Sequence, residues 1–272
     1  MSDVPKTHPR YLSLALRDTI VAGVEQGITS IHGLIAHGRG EAFDYLIGEA
    51  TQPFATEAIH AAAAMLRLAE HPVISVNGNV AALAPEALIQ LGQVLNAPLE
   101  VNIFHTETGR EQRIREHLLK HKARLETSPA SGGVDARLET SPAGVEVKDA
   151  SDVLMPTPEA QLSYIDSNRK FVHPDGIFKA DVVFVPLEDG DRCEALRKMG
   201  KAVVTVDLNP MSRTAKQASI TIVDNVVRAL PLLCEEIRNF NDSKAQDTLK
   251  KYSNEAMLQE ALRHISRSGN GD

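Results

Sequence analysis

Two cysteines, Cys193 and Cys234, are all that this chain carries. They cannot build a disulfide framework or fill a cysteine-rich zinc site, so a reducing compartment is expected. Long apolar runs are missing too. The most apolar stretch, residues 61–69, is broken by Arg67 far short of a membrane span, and residues 1–10 lack the apolar core of a secretion signal. A cytoplasmic protein with no membrane partner is therefore expected. Nor is positive charge in excess: 29 Lys and Arg against 36 Asp and Glu give a net charge of -7, which argues against a nucleic-acid partner. Any bound anion must meet a local cluster of cations. What is present, 272 residues that are 43% apolar and 24% charged, is the composition of a folded globular chain.

Periodicity gives the organisation. Leu12, Leu16, Ile20 and Val24 recur every four positions and predict a helix over 11–26, with Gly27 as its C-cap. Residues 33–49 are glycine-dense, fit neither the helical nor the strand period and read as a substrate loop. An Ala-rich helix follows over 55–70, stopped by Pro72. Strands at 73–76, 99–104, 181–185, 202–206 and 220–223 then alternate with helices at 85–95, 107–122, 192–199 and 226–237. That rhythm predicts an α/β fold, a Rossmann-like, mainly parallel sheet with flanking helices and an N-terminal helical segment. A single domain is expected over 1–240, with an inserted variable loop at 123–160 and a peripheral, weakly amphipathic helix or tail at 241–272. Inside the insertion the heptapeptide ARLETSP occurs twice, at 123–129 and 136–142. Two copies make no solenoid and read as a duplicated surface loop.

Four predicted strands run into polar residues: Asn77-Gly78-Asn79, the stretch from Glu188 through Asp189 and Asp191 to Arg192, Asp207-Leu208-Asn209, and Asp224-Asn225. In an open parallel sheet the carboxyl ends share one edge, where ligands bind at the switch point of strand order. Taken singly, each group could merely end a strand and cap a helix. Four together point to a site. Glu188, Asp189 and Asp191 crowd three carboxylates into one turn, which a cation, either Mg²⁺ or a substrate amine, would relieve; a solvated acidic turn is the alternative. His37-Gly38-Arg39-Gly40-Glu41 sets a guanidinium between two glycines, so that backbone and forked donor can both approach an anion; a tight turn with an exposed Arg is the plainer possibility. It is no dinucleotide fingerprint, since Phe43 stands where the third glycine belongs, and there is no phosphate-binding G-x-x-x-x-G-K-[ST] loop. Arg213-Thr214 suits phosphate, and Asp207 a ribose hydroxyl. The histidines show no metal-ligand spacing, and Cys193 reads as a small buried residue.

Residues 33–46 (GLIAHGRGEAFDYL), 73–79 (VISVNGN), 185–192 (VPLEDGDR) and 207–214 (DLNPMSRT) closely resemble the archaeal phosphopantothenate synthetases, or 4-phosphopantoate-β-alanine ligases. The resemblance runs from His8 to about Pro231, skipping the repeated loop and the tail. It implies homodimers that join 4-phosphopantoate to β-alanine for coenzyme A, with ATP cleaved to AMP and pyrophosphate through an acyl adenylate and Mg²⁺ as cofactor. By motif it implies ATP contacts at Arg17, Arg39, Asp207, Leu208, Asn209, Arg213, Thr214 and Asn225, with Asp224 and Val226 flanking the last. Strand-end convergence assigns pantoate to Asn77, Gly78, Asn79 and Arg192. The metal or amine falls to Glu188, Asp189 and Asp191; Arg39, Asp189 and Asp191 are the catalytic candidates with His37, a candidate general base. A nicotinamide oxidoreductase with a degenerate fingerprint and a non-catalytic nucleotide or coenzyme A sensor are the rival readings.

Overall fold

The computed structural model describes residues 4–104, 109–127 and 152–268. The helices are α1 (Tyr11–Glu25), α2 (Ile31–Leu46), α3 (Pro53–Leu68), α4 (Gly78–Leu83), α5 (Pro85–Leu95), α6 (Arg110–Thr127), α7 (Gly190–Lys198), α8 (Arg213–Gln217), α9 (Val226–Asn239), α10 (Ala245–Lys251) and α11 (Asn254–Ser268). The strands are β1 (Pro72–Val76), β2 (Leu99–Val101), β3 (Val153–Leu154), β4 (Thr157–Gln161), β5 (Phe171–Val172), β6 (Val182–Phe184), β7 (Ala202–Val206) and β8 (Ile220–Ile222).

Six strands form one parallel sheet in the order β3-β2-β1-β6-β7-β8, so the strand order reverses between β1 and β6. The Rossmann-like expectation holds, and the period of two explains the layers. Ile74, Phe184, Val204 and Ile220 lie in register across the sheet and point into the larger core, with α3, α5 and α9. Their neighbours Val73, Val183 and Val203 face the other layer, where Cys193 and Leu196 of α7 and Leu162 and Val172 of the antiparallel β4-β5 hairpin pack.

Several expectations are corrected. Residues 33–49 are mostly helix, not loop. Ser30 caps α2 by accepting from Gly33 N–H at 3.3 Å, and the glycines disguise a helix although close approach requires one only at Gly33. A Cβ on Gly33 would sit 2.2 Å from Asn79 Oδ1, and one on Gly40 3.5 Å from Leu208. Residues 102–104 leave the sheet, so β2 is shorter than expected. The span 123–160 is not all loop: β3 is an edge strand of the main sheet and β4 belongs to the hairpin. The tail is two helices, and Ala245, Leu258 and Ala261 are buried, the last two in the main core.

The first copy of the repeat begins in helix. Residues 123–127 finish α6, and Arg124 pairs with Glu86. The rest of both copies lies outside the described residues. A Gly-Ser linker replacing 128–142 should therefore leave the melting temperature higher than one replacing 123–142, since only the longer excision removes the last helical turn and the partly buried Leu125. Equal thermal melts would show that this turn contributes nothing.

Candidate functional site

Each strand end is read first by the helix that follows it. Asn77 caps α4 through Oδ1, Asp189 caps α7, Ser212 caps α8 and Asn225 caps α9. The capping role and the site role coincide: four helix N-termini meet one sheet edge, and their dipoles bias it toward anions.

At the switch point the Asn77 amide donates to the carbonyls of Pro186 (2.9 Å) and Leu187 (3.1 Å), stitching β1 to β6. Leu187 adopts φ 55°, a left-handed conformation costly for a branched residue. Asn79 accepts from the Thr29 hydroxyl (2.5 Å) and donates to Gly33 O (2.9 Å), and Gly78 lies against Ile28 and Thr29, where a Cβ would collide with backbone. The side chains of this turn are taken up by protein partners, and the Asn79 and Val80 N–H groups donate to Asn77 Oδ1 (3.1 and 3.2 Å).

The acidic turn is an arginine cluster. Arg192 is 0% exposed; its Nη1 donates to Glu188 (2.6 Å) and to Ser75 (2.8 Å). Arg169 Nη1 donates to both Glu188 and Asp189, and Arg213 pairs with Asp191. Burial raises the Glu188 carboxyl's pKa, but Arg169 and Arg192 outweigh it and hold the group below the usual carboxylate range. This does not fit a magnesium site. Each carboxylate already has a guanidinium, and no cluster of three or more His, Cys, Asp or Glu among the described residues is arranged to hold a metal.

At β7 and β8, Asp207 accepts from the Ser212 hydroxyl and from Asn209 N–H (2.9 Å), and burial pushes its carboxyl up. Leu208 is buried beneath Gly40. Thr214 donates to Glu188 O at 2.9 Å, joining this region to the acidic turn. Asp224 is buried and accepts from Thr51 (2.6 Å) and Arg228 (2.9 Å); the Asn225 amide donates to Asp44 of α2 (2.7 Å), which also pairs with Arg228, and Val226 is buried beside it.

The remaining candidates lie on α1 and α2. Arg17 grips Glu41 with two bonds of 2.6 Å beside a cleft of about 380 Å³ that His37 and Arg10 also line. Burial lowers the pKa of His37, against the opposing pull of Glu41, so its imidazole is neutral near pH 7. Arg39 is exposed on α2 and has no hydrogen-bond or ion-pair partner among the described residues. Through Gly33 and Asn79, Gly40 and Leu208, and Asp44 and Asn225, α2 is fastened across the strand-end edge. Burial pushes the Cys193 thiol up to about 12, consistent with an inert core residue.

Arg169, Asp44, Arg228 and Glu100 escape sequence reasoning. The spacing of four between Glu188 and Arg192 was a usable signal for their pair; no such local signal marks Arg169, which reaches Glu188 from the far side of a hairpin. Glu100, fully buried in β2, accepts from His173 N–H (2.9 Å) and Ile177 N–H (2.6 Å), and burial lifts its pKa to about 7. A folded pKa above the unfolded value means protons are bound on folding, so this stability is full below about pH 4.5 and declines as pH rises through 7. The loss approaches about 3 kcal/mol. Denaturant unfolding between pH 5 and 8 should show that slope, and Glu100→Gln should remove it; a slope identical in both proteins would discount Glu100.

Known proteins match this chain consistently. Residues 54–268 match the phosphopantothenate/pantothenate synthetase family. The chain is 48% identical over 268 residues to a Thermococcus kodakarensis protein named 4-phosphopantoate–beta-alanine ligase, covering 97% of this chain and 93% of the relative. Proteins of that name from Methanosarcina mazei (47% identity, 97% and 95% coverage) and Methanospirillum hungatei (38%, 96% and 96%) are similar over comparable lengths. By the family match and by these full-length similarities, the chain belongs to the phosphopantothenate/pantothenate synthetase family.

Proposed function

We propose that this protein joins 4-phosphopantoate to β-alanine, cleaving ATP to AMP and pyrophosphate. Near-full-length similarity to ligases of that name carries the reading, and the anion-biased edge at the β1/β6 switch point supports it. Neither the oxidoreductase nor the sensor reading finds support among these relatives.

A carboxylate oxygen of 4-phosphopantoate attacks the α-phosphorus of ATP and pyrophosphate leaves; the β-alanine nitrogen then attacks the acyl carbon, loses a proton, and AMP leaves with the bonding pair. Asp207 suits the ribose, and Arg39 and Arg213 the phosphates, with Arg17, Leu208, Asn209, Thr214, Asp224, Asn225 and Val226 shaping the nucleotide pocket. The 77–79 turn is offered for the pantoate end and neutral His37 is suited to take the ammonium proton, whereas Arg192, expected at pantoate, is wholly buried and paired with Glu188 and Ser75, so it acts from behind the site. Magnesium would belong with the ATP phosphates, because each carboxylate of the acidic turn is paired with a guanidinium and none could meet a divalent ion without giving up that pair. Repeated turnover of pyrophosphate release that needs ATP, 4-phosphopantoate and β-alanine together is the expected assay result, with no more than one pyrophosphate per active site released when β-alanine is left out; sustained turnover without β-alanine, or no release with all three, would sink the ligase reading.

The same reading includes a homodimer. Ile31, Ile35, Ala42 and Leu46 make one stripe along α2, and Ile31 (66% exposed), Ile35 (60%) and Leu12 of α1 (74%) lie open. A second copy suits a surface this apolar. Ile35→Lys is expected to shift the protein toward monomer in analytical ultracentrifugation; an unchanged sedimentation coefficient would take the interface elsewhere. No described helix is long and apolar enough to cross a membrane.

A further inference from the structure

Charge balance around Glu188, and the donors left over there, indicate what the turn can hold. Two guanidiniums, Arg169 and Arg192, face two carboxylates, Glu188 and Asp189, so the cluster is neutral. Yet Arg169 Nε and Arg192 Nε and Nη2 are buried with no hydrogen-bond partner among the described residues. Buried donors of charged groups are costly to leave unpaired, so three in one cluster mark a place for a ligand's oxygens. A dianion would press against two carboxylates there, one of them, Glu188, pinned between both arginines. A ligand with one positive and one negative end meets no such repulsion.

The way in is at Asp189. Its side chain is 40% exposed while Arg169 and Glu188 are buried, and its Oδ1 is fixed by the Arg192 N–H at 3.1 Å. Arg169 stands behind it, its carbonyl and that of Phe171 held by the Asn102 amide at 3.3 and 3.1 Å. We propose that Arg169 and Asp189 form the subsite for an ω-amino-acid zwitterion, the ammonium donating to Asp189 and the carboxylate accepting from Arg169 through its unpartnered Nε. The inference rests on the ligase reading and names where the second substrate of that reaction binds. Opening one ion pair yields two, and Arg192 acts as a positioning residue that keeps Glu188 from following Asp189.

Initial rates of pyrophosphate release by the full chain, with β-alanine varied at fixed ATP and 4-phosphopantoate, test this. Asn at 189 keeps a capping oxygen and Lys at 169 keeps a charge beside Glu188, so both variants are designed to fold. Asp189→Asn and Arg169→Lys are expected to raise the KM for β-alanine on the order of tenfold to a hundredfold, with KM for ATP and 4-phosphopantoate within about twofold. The native enzyme should discriminate strongly against β-alaninamide, which lacks the carboxylate, and Arg169→Lys should narrow that preference. If the increase falls on 4-phosphopantoate, or β-alanine kinetics and the β-alaninamide preference stay as in the native enzyme, the subsite is not here. If the native chain releases no pyrophosphate with all three substrates, the ligase reading fails and this subsite with it.

Discussion

Glu188→Ala is expected to lower the free energy of unfolding by about 3 to 5 kcal/mol, the largest effect of any single substitution at the site. Glu188 is buried and pairs with Arg169 on one oxygen and Arg192 on the other, so truncation leaves Arg192 wholly buried with only Ser75 on its Nη1. Urea denaturation checks it. Replacing Arg169, Glu188 and Arg192 together by apolar residues of similar size should cost less than Glu188→Ala alone, because no buried charge is then stranded. Because the folded pKa is depressed, the contribution of Glu188 is present above the ordinary carboxylate range and fades as pH falls through its folded value. A loss under 1 kcal/mol would mean that the two guanidiniums find other partners.

Arg39→Ala and Arg213→Ala should each reduce kcat/KM by about a hundredfold to a thousandfold, the cost of losing a charged donor to developing phosphate charge. Neither change should disturb the fold. Arg39 has no hydrogen-bond or ion-pair partner among the described residues, and Arg213 is 55% exposed with only Asp191 to leave behind. Circular dichroism together with pyrophosphate release separates the two effects. Near-native turnover in a folded variant would remove that arginine from the nucleotide pocket. Gly190 belongs to the same argument: a Cβ there would lie 2.4 Å from Arg213 Nε, so Gly190→Ala should displace Arg213 without removing it.

The sheet was legible because its strands, buried on both faces, read as compact β-branched runs, and the polar residues at their ends marked the edge where the site lies. The helix α2 was not. Its Gly33 answers to Asn79 and Thr29, of which Asn79 is a tertiary neighbour that no local window contains. Local charge counting saw the carboxylates of the acidic turn but not their counter-ions for the same reason: Arg169 arrives from the hairpin connection and Arg213 from the next strand-helix unit. The edge strand β3 and most of β4 were counted into a supposed loop because β3 is only two residues long and β4 pairs with a β5 of two, too short for a period to show.

The seam between β1 and β6 has a kinetic meaning. In each half the paired strands follow one another in the chain, β1 with β2 and β2 with β3, then β6 with β7 and β7 with β8, whereas Asn77 meets Pro186 across 109 positions. Loop closure of that span must be completed before the contact returns any energy, so the two halves of the sheet can each form early while the seam closes late. Both sides of the proposed zwitterion subsite depend on that closure, since Ser75 and Asn102 come from the first half and Glu188 and Arg192 from the second. A nascent or refolding chain would thus acquire most of its helix before the zwitterion subsite was complete.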